Sequence, residues 1–454
     1  MDLTGKQVLV AGLGKSGIAA GALLKKMGCI VLLFDGNEKF DRDAWEKTYP
    51  AFSDCPLWIG DLPDGAEHEI EFAVVSPGVP PDTPVMLKLQ AAGVPVMGET
   101  ELAYRLEKGR VAAITGTNGK TTTTTLAGEI LKKCYPEVFV VGNIGIPYTS
   151  VVEKTKEATI TVAEISSFQL ETMDTFHPSV SAILNITPDH LDRHHTMEAY
   201  IRAKKSITKC QTMGDTCVLN YEDEILREFA ETLHVRVLFF SSKRPLKEGI
   251  YLQKNTIWTA QKGKEPERLI NISELKLLGM HNYENVMAAS GIALCMGVPL
   301  HIVQSVLKEF RGVKHRIEFV RNLHDVMYYN DSKATNPDAA IHGIRAMNRK
   351  TLLIGGGYDK NLEFDEWIES FDEKVKCLLL IGQTKDKIKV CAGRHGFENI
   401  VCCDTLKEAV NICHRLAKPG EAVLLSPACA SWGDFKDYMQ RGDLFRQYVM
   451  ELPE

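Results

Sequence analysis

The sequence contains no uninterrupted run of about 18 apolar residues, so nothing in it predicts a membrane-spanning helix. It also lacks an excess of positive charge, since 53 Lys and Arg face 59 Asp and Glu and the formal net charge is −6. That balance gives no electrostatic reason to expect nucleic acid as the main partner. The opening stretch MDLTGKQVLVAG carries no secretion signal and therefore predicts a cytoplasmic protein.

The twelve cysteines include no Cys-x-x-Cys pair, the spacing common in zinc and redox sites. They are scattered along the chain, and several, such as Cys377 in KVKCLLLIG, lie in apolar runs. This placement favours buried, reduced thiols over a disulfide framework. The sequence also lacks an internal repeat and an exposed heptad pattern, so we expect a monomer.

Short apolar runs bounded by Gly, Asp or Asn recur along the chain, among them QVLVAG, IVLLFD, VAAITG, TITVAEIS, VSAILNIT, TLLIGGG and EAVLLSPA. Continuous apolar runs of this length suit strands buried on both faces, and amphipathic segments lie between many of them. The pattern predicts an α/β protein built of mostly parallel sheets flanked by helices. Breaks near VPVMGETE and FRGVKHR predict three domains, at residues 1–98, 99–312 and 313–454.

The first predicted strand runs into AGLGKSG, which places Gly12, Gly14 and Gly17 in a G-x-G-x-x-G arrangement before a helix. Such glycines let the main chain approach a diphosphate at a helix N-terminus. Asp35 ends the next strand, where a ribose-binding carboxylate would lie. The motif suits a nicotinamide cofactor or another diphosphate nucleotide, and a tight turn without a ligand is the alternative.

A second nucleotide-loop candidate is VAAITGTNGKTTTTTL, which departs from the usual phosphate-loop pattern. Ile114 occupies the position where that pattern has its first glycine, and the nearest earlier glycine to Gly119 is Gly116. Amides of the loop could still surround phosphate oxygens, with the Lys120 ammonium on the terminal phosphates and the Thr121 hydroxyl on Mg²⁺. A solvent-exposed turn is the alternative.

Two stretches downstream are candidates for binding metal. Glu164 ends a buried strand, where a carboxylate either binds metal, is paired, or caps the next helix. The stretch NITPDHLDRHH brings together Asp189, His190, Asp192, His194 and His195. Because its spacing matches no usual zinc pattern, Mg²⁺ held with phosphate oxygens fits better. We expect His194 and His195 to be solvated loop residues.

Polar residues also follow three strands of the last third, in YYNDSKATNPDA, GGGYDKNLEF and LLSPACASWGDF. These stretches supply Asp331, Ser332, Lys333, Thr335, Asn336, Lys360, Ser426 and Ser431. Two lysines and several hydroxyls on neighbouring loops favour an acidic small-molecule ligand. A solvated surface charge is the alternative for either lysine alone.

TGTNGKTT resembles the ATP loop of the Mur ligase and folylpolyglutamate synthase superfamily. The stretches GNIG, AEISSFQL, NITPDHLDRH, YIRAK, GMHNYEN, HRIE, NDSKATNPDA and LLSPACASWGDF agree with that superfamily in order, across nearly the whole chain. The last two most resemble the members that add D-glutamate to UDP-N-acetylmuramoyl-L-alanine. The resemblance implies Rossmann-like first and last domains, which bind the UDP substrate and D-glutamate, around a P-loop ATPase-like central domain. It also implies an acyl-phosphate intermediate in peptidoglycan precursor synthesis.

Site residues follow from the same resemblance, position by position. The implied catalytic residues are Lys120, Glu164, His190 and Lys204. The implied ATP contacts are Gly116, Thr117, Asn118, Gly119, Lys120, Thr121, Thr122, Asn285, Arg316 and Asp331. The implied Mg²⁺ ligands are Thr121, Glu164, His190 and Lys204, the last as a carbamate. The implied contacts to the UDP-muramoyl substrate are Gly14, Lys15, Ser16, Asp35, Gly78, Asn143 and His190, and those to D-glutamate are Lys333, Thr335, Lys360, Ser431 and Phe435.

Three other functions are weighed against this one. An NAD-dependent dehydrogenase would explain the first glycine motif but leave the second nucleotide loop without a role. A non-catalytic nucleotide-binding regulator would bind ATP without substrate-dependent hydrolysis. A folylpolyglutamate synthase fits the N-terminal glycine motif and the SPACAS stretch less well.

Lys15 departs from the family pattern, in which an uncharged residue is expected at that position. No residue in the sequence stands out as the base that would deprotonate an incoming amine.

Overall fold

The structure is a computed structural model that describes residues 3–143, 145–360 and 362–454, with the side chain of Asp192 also outside the description. The chain forms two compact units. One contains residues 1–269 and 285–303, and the other contains residues 270–284 and 304–454.

The first sheet lies near the N-terminus and has the order β3-β2-β1-β4-β5, with each neighbouring pair parallel. Its strands are β1 (Gln7–Ala11), β2 (Ile30–Asp35), β3 (Leu57–Ile59), β4 (Phe72–Val75) and β5 (Val96–Gly98). The accompanying helices are α1 (Lys15–Lys26), α2 (Arg42–Thr48), α3 (Pro84–Ala91) and α4 (Glu99–Tyr104). Most residues of β1, β2 and β4 are buried, as their continuous apolar sequences predict.

The second sheet has the order β14-β13-β12-β11-β10-β9-β6-β8-β7. Its strands are β6 (Arg110–Thr115), β7 (Val138–Gly142), β8 (Ile160–Glu164), β9 (Val180–Ile183), β10 (Thr216–Asn220), β11 (Arg236–Ser241), β12 (Gly249–Gln253), β13 (Thr256–Ala260) and β14 (Glu267–Asn271). Strands β6 to β12 pair in parallel, whereas β12 and β13 form an antiparallel pair. The helices of this stretch are α5 (Lys120–Lys132), α6 (Ser167–Leu170), α7 (Leu191–His194), α8 (Met197–Lys205), α9 (Glu224–Glu231), α10 (Met280–Cys295) and α11 (Leu300–Glu309).

The third sheet has the order β15-β16-β20-β17-β18-β19 and is parallel except for the β15–β16 hairpin. Its strands are β15 (Glu318–Leu323), β16 (Val326–Asn330), β17 (Thr351–Gly356), β18 (Val375–Ile381), β19 (Ile400–Cys402) and β20 (Ala422–Leu425). Its helices are α12 (Pro337–Ala346), α13 (Asp365–Glu369), α14 (Lys385–Arg394), α15 (Leu406–Leu416) and α16 (Tyr438–Met450). Single-turn 3₁₀ helices occur at Pro50–Phe52, Ala66–Glu69, Tyr148–Ser150, Val152–Lys154, Ser206–Thr208 and Ile272–Glu274.

The predicted α/β class with mostly parallel sheets is confirmed, while the three domain boundaries stay predictions. Parallel strands bring their carboxyl ends to one edge of a sheet, which is where such folds bind ligands. In the second sheet β6 lies between β8 and β9, with Ile114 opposite Glu164 and Thr115 opposite Ile183. The segments that follow these three strands therefore meet at one edge. None of the helices in the described ranges is both long and apolar enough to cross a membrane.

Candidate active site

The phosphate-loop candidate connects the end of β6 to the start of α5 through two glycines with positive φ. Gly116 has φ +151°, and Gly119, which precedes the first residue of α5, has φ +85°. A Cβ atom on Gly119 would lie 2.2 Å from Oδ1 of Asn285, so only glycine fits there without a rearrangement. Ile114 is a fully buried residue of β6, and the loop proper begins after the strand.

Two lysines donate to the same main-chain oxygen of this loop. Lys120 Nζ lies 2.8 Å from the Gly116 carbonyl oxygen and 2.9 Å from that of Thr117. Lys204 Nζ lies 2.8 Å from the Gly116 oxygen as well. Burial, together with the nearby charge of Lys120, lowers the pKa of Lys204 to about 7, although Asp189 opposes the shift. Lys204 is only 1% exposed, and its Nζ lies 4.6 Å from the ring centroid of Tyr200.

The phosphate-loop candidate is stabilised by hydrogen bonds from residues that the sequence patterns did not identify. Asn185, just after β9, accepts from the Asn118 N–H at 2.8 Å and donates to the Asn118 carbonyl oxygen at 3.1 Å. The Thr117 hydroxyl lies 3.0 Å from the Tyr200 hydroxyl and accepts from the Thr187 N–H at 3.0 Å. Both residues lie in stretches with a recognisable pattern, Asn185 in NITPDH and Tyr200 in YIRAK. Their contacts with this loop depend on the pairing of β9 beside β6 and on the placement of helix α8.

Glu164 is a buried carboxylate with one oxygen in use and one without a partner. Its Oε1 accepts from Asn143 Nδ2 at 2.8 Å, whereas its buried Oε2 has no hydrogen-bond partner. The helix-capping alternative is wrong, because Ser166 caps α6 in a capping box with Gln169. A buried carboxylate oxygen without a donor is costly unless a cation satisfies it. Ile144, within the GNIG stretch, lies outside the described residues.

The histidine cluster divides into one buried and two exposed side chains. The expectation that His194 is solvated is wrong, since it is buried, with Nε2 at 2.9 Å from Ser167 Oγ and Nδ1 at 3.1 Å from Glu171 Oε1. Burial lowers the pKa of His194, although Glu171 opposes that shift. His195 is exposed, as expected, and so is His190, whose ring centroid lies 4.9 Å from that of Phe168.

Asp35 stabilises the N-terminal glycine loop through hydrogen bonds from main-chain N–H groups. Asp35 Oδ2 accepts from the Leu13 N–H at 2.9 Å, and Oδ1 accepts from the Asn37 N–H at 3.0 Å. A Cβ on Gly17 would lie 1.9 Å from the Gly12 carbonyl oxygen, which explains that glycine by packing alone. By contrast, Gly14 and Gly78 have open space beside them, with Lys15 and Ser16 in the first turn of α1.

In the unit that contains the third sheet, Asp331 is buried directly after β16. Its Oδ2 accepts from Ser426 Oγ at 2.7 Å, and its Oδ1 accepts from the Ile317 N–H at 3.3 Å. Burial raises the pKa of Asp331 to about 7, against the opposing effects of these donors and of Arg316 and Arg441.

Arg441, which the sequence reasoning also missed, connects two of the predicted ligand loops. It is fully buried, and its Nε and Nη2 donate to the hydroxyl and the carbonyl oxygen of Ser332 at 3.0 and 2.8 Å. Its Nη1 donates to the carbonyl oxygens of Cys429 and Ala430 at 3.1 and 3.3 Å. Arg441 therefore joins the segment after β16 to the segment after β20.

The predicted D-glutamate residues form two groups. Lys360 Nζ lies 4.2 Å from the ring centroid of Trp432, the neighbour of buried Ser431, whose carbonyl oxygen accepts from the Phe435 N–H. Lys333 Nζ lies 5.6 Å from the ring centroid of Tyr438, and the Lys333 carbonyl oxygen accepts from the Thr335 N–H at 2.9 Å. An isolated bridge between Tyr358 and Ala430 brings the Lys360 and Ser431 loops side by side.

A further group of metal-ligating side chains, Asp365, Cys391 and His395, lies far along the sequence from Glu164. His395 Nε2 is 2.9 Å from Asp365 Oδ1, and Arg394 Nη2 is 3.4 Å from the same oxygen. Because a guanidinium already balances the carboxylate, we interpret this group as an ion-pair cluster between α13 and α14.

Sequence profiles of known families cover most of the chain. Residues 6–98 match the Mur ligase MurD-like N-terminal domain, residues 114–293 the Mur ligase middle domain, and residues 315–429 the Mur ligase glutamate ligase domain. The chain belongs to the Mur ligase family.

Curated relatives of this Mur ligase match it from end to end. An enzyme named UDP-N-acetylmuramoylalanine–D-glutamate ligase from Lachnoclostridium phytofermentans is 53% identical, and one of the same name from Lachnospira eligens is 50% identical, each over 100% of both chains. Another of that name from Clostridioides difficile is 44% identical over 100% of both chains.

Solved structures resemble the Mur ligase over nearly its whole length at low identity. UDP-N-acetylmuramate–alanine ligase from Thermotoga maritima has a TM-score of 0.57 at 18% identity and covers 98% of this chain and 99% of its own. A UDP-N-acetylmuramoyl-L-alanyl-D-glutamate–2,6-diaminopimelate ligase has a TM-score of 0.58 at 17% identity, covering 98% and 92%. These likenesses establish the shared fold.

Proposed function

We propose that this Mur ligase joins the amino group of D-glutamate to the alanyl carboxylate of UDP-N-acetylmuramoyl-L-alanine, with ATP converted to ADP and phosphate. The observation that carries the proposal is the end-to-end identity of 44% to 53% with enzymes named for D-glutamate addition. The reaction is a step of cytoplasmic peptidoglycan precursor synthesis. We propose a monomer without nucleic-acid or membrane partners, in keeping with the net charge of −6.

The chemistry requires activation, because a carboxylate is a poor electrophile. Transfer of the γ-phosphoryl group of ATP to a carboxylate oxygen forms an acyl phosphate and releases ADP. The D-glutamate amine then attacks the carbonyl carbon, and the tetrahedral intermediate collapses with loss of phosphate and a proton. The contribution of the protein is mainly positioning and charge neutralisation.

Lys120 is the residue proposed to neutralise charge on the transferring phosphoryl group. Its ammonium already lies over the loop, held by the Gly116 and Thr117 carbonyl oxygens. A small rotation of the side chain would turn it towards phosphate oxygens bound by the loop amides. Thr117, Asn118, Thr121 and Thr122 share this loop and the first turn of α5, with Asn285 packed against Gly119. Arg316 and Asp331 are the ATP contacts proposed for the third-sheet unit.

The donor set near the loop fits a magnesium ion. Carboxylate and carbamate oxygens are the hard ligands that Mg²⁺ prefers, and Glu164 has a buried oxygen without a donor. Glu164, Thr121, His190 and a carbamylated Lys204 would hold the ion. Bound there, Mg²⁺ supplies electrostatic stabilisation of the phosphate oxygens.

Carbamylation of Lys204 would consume its neutral amine and one CO₂ and release one proton. Lys204 is buried and its pKa is lowered to about 7 by burial, so the neutral amine is well populated at neutral pH. A carbamate keeps one N–H, which can still donate to the Gly116 oxygen that accepts from Lys204. The modification replaces a buried cation by an anion suited to a metal. Mass spectrometry of the intact protein with and without bicarbonate tests for the added CO₂.

Substrate recognition is divided between the units in this proposal. Gly14, Lys15, Ser16, Asp35, Gly78, Asn143 and His190 would contact the UDP-muramoyl substrate, with open space beside Gly14 and Gly78 supporting a close approach. Lys333, Thr335, Lys360, Ser431 and Phe435 would contact D-glutamate, whose two carboxylates suit two lysines.

The test is phosphate release by the purified protein with MgATP and UDP-N-acetylmuramoyl-L-alanine. Turnover is expected only when D-glutamate is added, and equal turnover with L-lysine or meso-diaminopimelate, or none with D-glutamate, contradicts the proposal. The Lys120→Ala variant should lose turnover by on the order of 10³-fold while remaining folded. Lys132→Ala, which removes an exposed lysine from the same helix, is the matched control. Tight NADH binding seen by fluorescence would instead support the dehydrogenase alternative.

A further inference from the structure

Arg193 connects the turn after β4 to the segment that carries His190. It belongs to α7 and lies three residues after His190. Its Nη1 donates to the Pro77 carbonyl oxygen at 2.9 Å, and its Nη2 donates to the Val79 carbonyl oxygen at 3.3 Å. The two acceptors are on either side of Gly78, so one guanidinium fixes the peptide groups around that glycine.

The same guanidinium is also held by helix α6 and the residue that follows it. Arg193 Nη2 lies 2.9 Å from Glu171 Oε2, and the guanidinium carbon lies 4.3 Å from the ring centroid of Phe168. The His190 ring contacts that same Phe168 ring, with centroids 4.9 Å apart. Phe168 therefore lies against both Arg193 and His190.

We propose that Arg193 is a positioning residue that sets Gly78 and His190 in place for the UDP-linked substrate. This inference rests on the proposed function, because only that function assigns Gly78 and His190 to contacts with the UDP-linked substrate. The side chain is 11% exposed, which leaves few alternative conformations for its guanidinium. The forked, planar shape of arginine serves two carbonyl oxygens, a carboxylate and an aromatic face together, which a lysine ammonium cannot do.

The turn itself provides a structural readout. The Val79 N–H donates to the Ser76 carbonyl oxygen at 3.0 Å, so its rate of hydrogen exchange reports whether the turn stays closed. Ser76 Oγ in turn donates to the Gly12 carbonyl oxygen at 2.7 Å, which links the turn to the N-terminal glycine loop. Release of Arg193 should loosen a region that includes predicted substrate contacts without altering the phosphate loop.

The experiment compares Arg193→Gln and Arg193→Lys with Arg202→Gln, which removes an exposed arginine from the adjacent helix α8. For Arg193→Gln we expect the KM for UDP-N-acetylmuramoyl-L-alanine to rise about tenfold, with the KM for D-glutamate unchanged. Arg193→Lys should give a smaller rise, and Arg202→Gln none. Hydrogen exchange at Val79 should accelerate in the Arg193 variants alone.

An unchanged KM for the UDP substrate in Arg193→Gln overturns the inference. A loss of kcat with both KM values unaltered also overturns it. The second pattern would mean that Arg193 only maintains the folded fraction. If Arg193→Gln fails to fold, Arg193→Lys carries the same test. Absence of D-glutamate-dependent turnover in the unaltered protein contradicts the proposed function instead, and hydrogen exchange at Val79 still reports on the Arg193 contacts in that case.

Discussion

Two buried charges, Glu164 at the edge of the second sheet and Arg441 in the third-sheet unit, differ in how completely they are satisfied. They are 1% and 0% exposed. Glu164 keeps a buried oxygen without a partner, whereas Nε, Nη1 and Nη2 of Arg441 all donate to protein oxygens. Burial of charge alone therefore does not mark a ligand site. What distinguishes Glu164 is its unused oxygen at the carboxyl end of β8, beside the strand that leads into the phosphate loop, whereas the complete set of hydrogen bonds on Arg441 indicates a residue that supports the loops around it.

Within the comparison of Glu164 with Arg441, the largest expected effect is on turnover in Glu164→Gln. The amide removes the charge proposed to bind Mg²⁺ while keeping an oxygen for Asn143, so we expect turnover to fall about 10²–10³-fold. Because the lost charge had an unsatisfied oxygen, the free energy of unfolding should change by less than about 1 kcal/mol. Phosphate release and urea unfolding measure the two quantities.

Glu157→Gln removes an exposed carboxylate seven residues earlier and should leave both quantities unchanged. A strongly destabilised Glu164→Gln protein would show that Glu164 is a structural residue. Glu164 and Arg441 would then both support the fold, and the proposed difference between them would be contradicted.

For Arg441→Lys we expect the main effect to be on stability, in contrast to Glu164→Gln, where the main effect is on turnover. A lysine ammonium cannot reach Ser332 and both carbonyl oxygens of residues 429 and 430, so buried acceptors lose their donors. We expect the free energy of unfolding to fall by about 3 kcal/mol, as measured by urea denaturation. Arg446→Lys, on the same helix but half exposed, should cost less than about 1 kcal/mol. Equal losses of unfolding free energy in Arg441→Lys and Arg446→Lys would contradict the assignment of Arg441 as a residue that supports the loops around it.

The smallest expected effect is a pH dependence from Asp331. Burial raises its pKa from 3.8 to about 7, so between these values the folded protein keeps a proton that the unfolded chain has lost. This group therefore stabilises the fold fully below about pH 4 and progressively less as the pH rises towards 7. In Asp331→Asn that dependence disappears.

We expect the difference in unfolding free energy between the unaltered protein and Asp331→Asn to shift by roughly 1 kcal/mol for each pH unit in that range, in favour of the variant at higher pH. Urea unfolding at about pH 5 and about pH 6 measures the shift. Asp338→Asn, which alters an exposed carboxylate of α12, is the control. A constant difference across the range would mean that Asp331 is ionised throughout.

Sequence reasoning succeeds where local pattern determines structure. Continuous apolar runs identify the buried parallel strands, among them VAAITG, which contains the buried β6 residue Ile114. Because neighbouring parallel strands end at one edge of a sheet, the sequence also indicates that the segments after β6 and β8 meet there.

The rest depends on contacts between distant segments. Arg441 donates a hydrogen bond to Ser332, which is 109 residues away in the sequence, and no local periodicity predicts such a pair. Asn185 reaches the phosphate loop only because β9 pairs beside β6. His194 was expected in solvent because its polar stretch suggests a loop. The fold instead places it between Ser167 and Glu171, which satisfy both ring nitrogens.

The carbonyl oxygen of Gly116, which accepts from both Lys120 and Lys204, belongs to the main chain. Side-chain replacement can remove either lysine but cannot delete this oxygen. Replacement of the glycine is itself obstructed, since a Cβ would lie 3.0 Å from Leu184 Cβ at a φ of +151°. The acceptor that brings the two lysine ammonium groups together therefore persists in every single-residue variant of this loop, and both of its lone pairs are engaged.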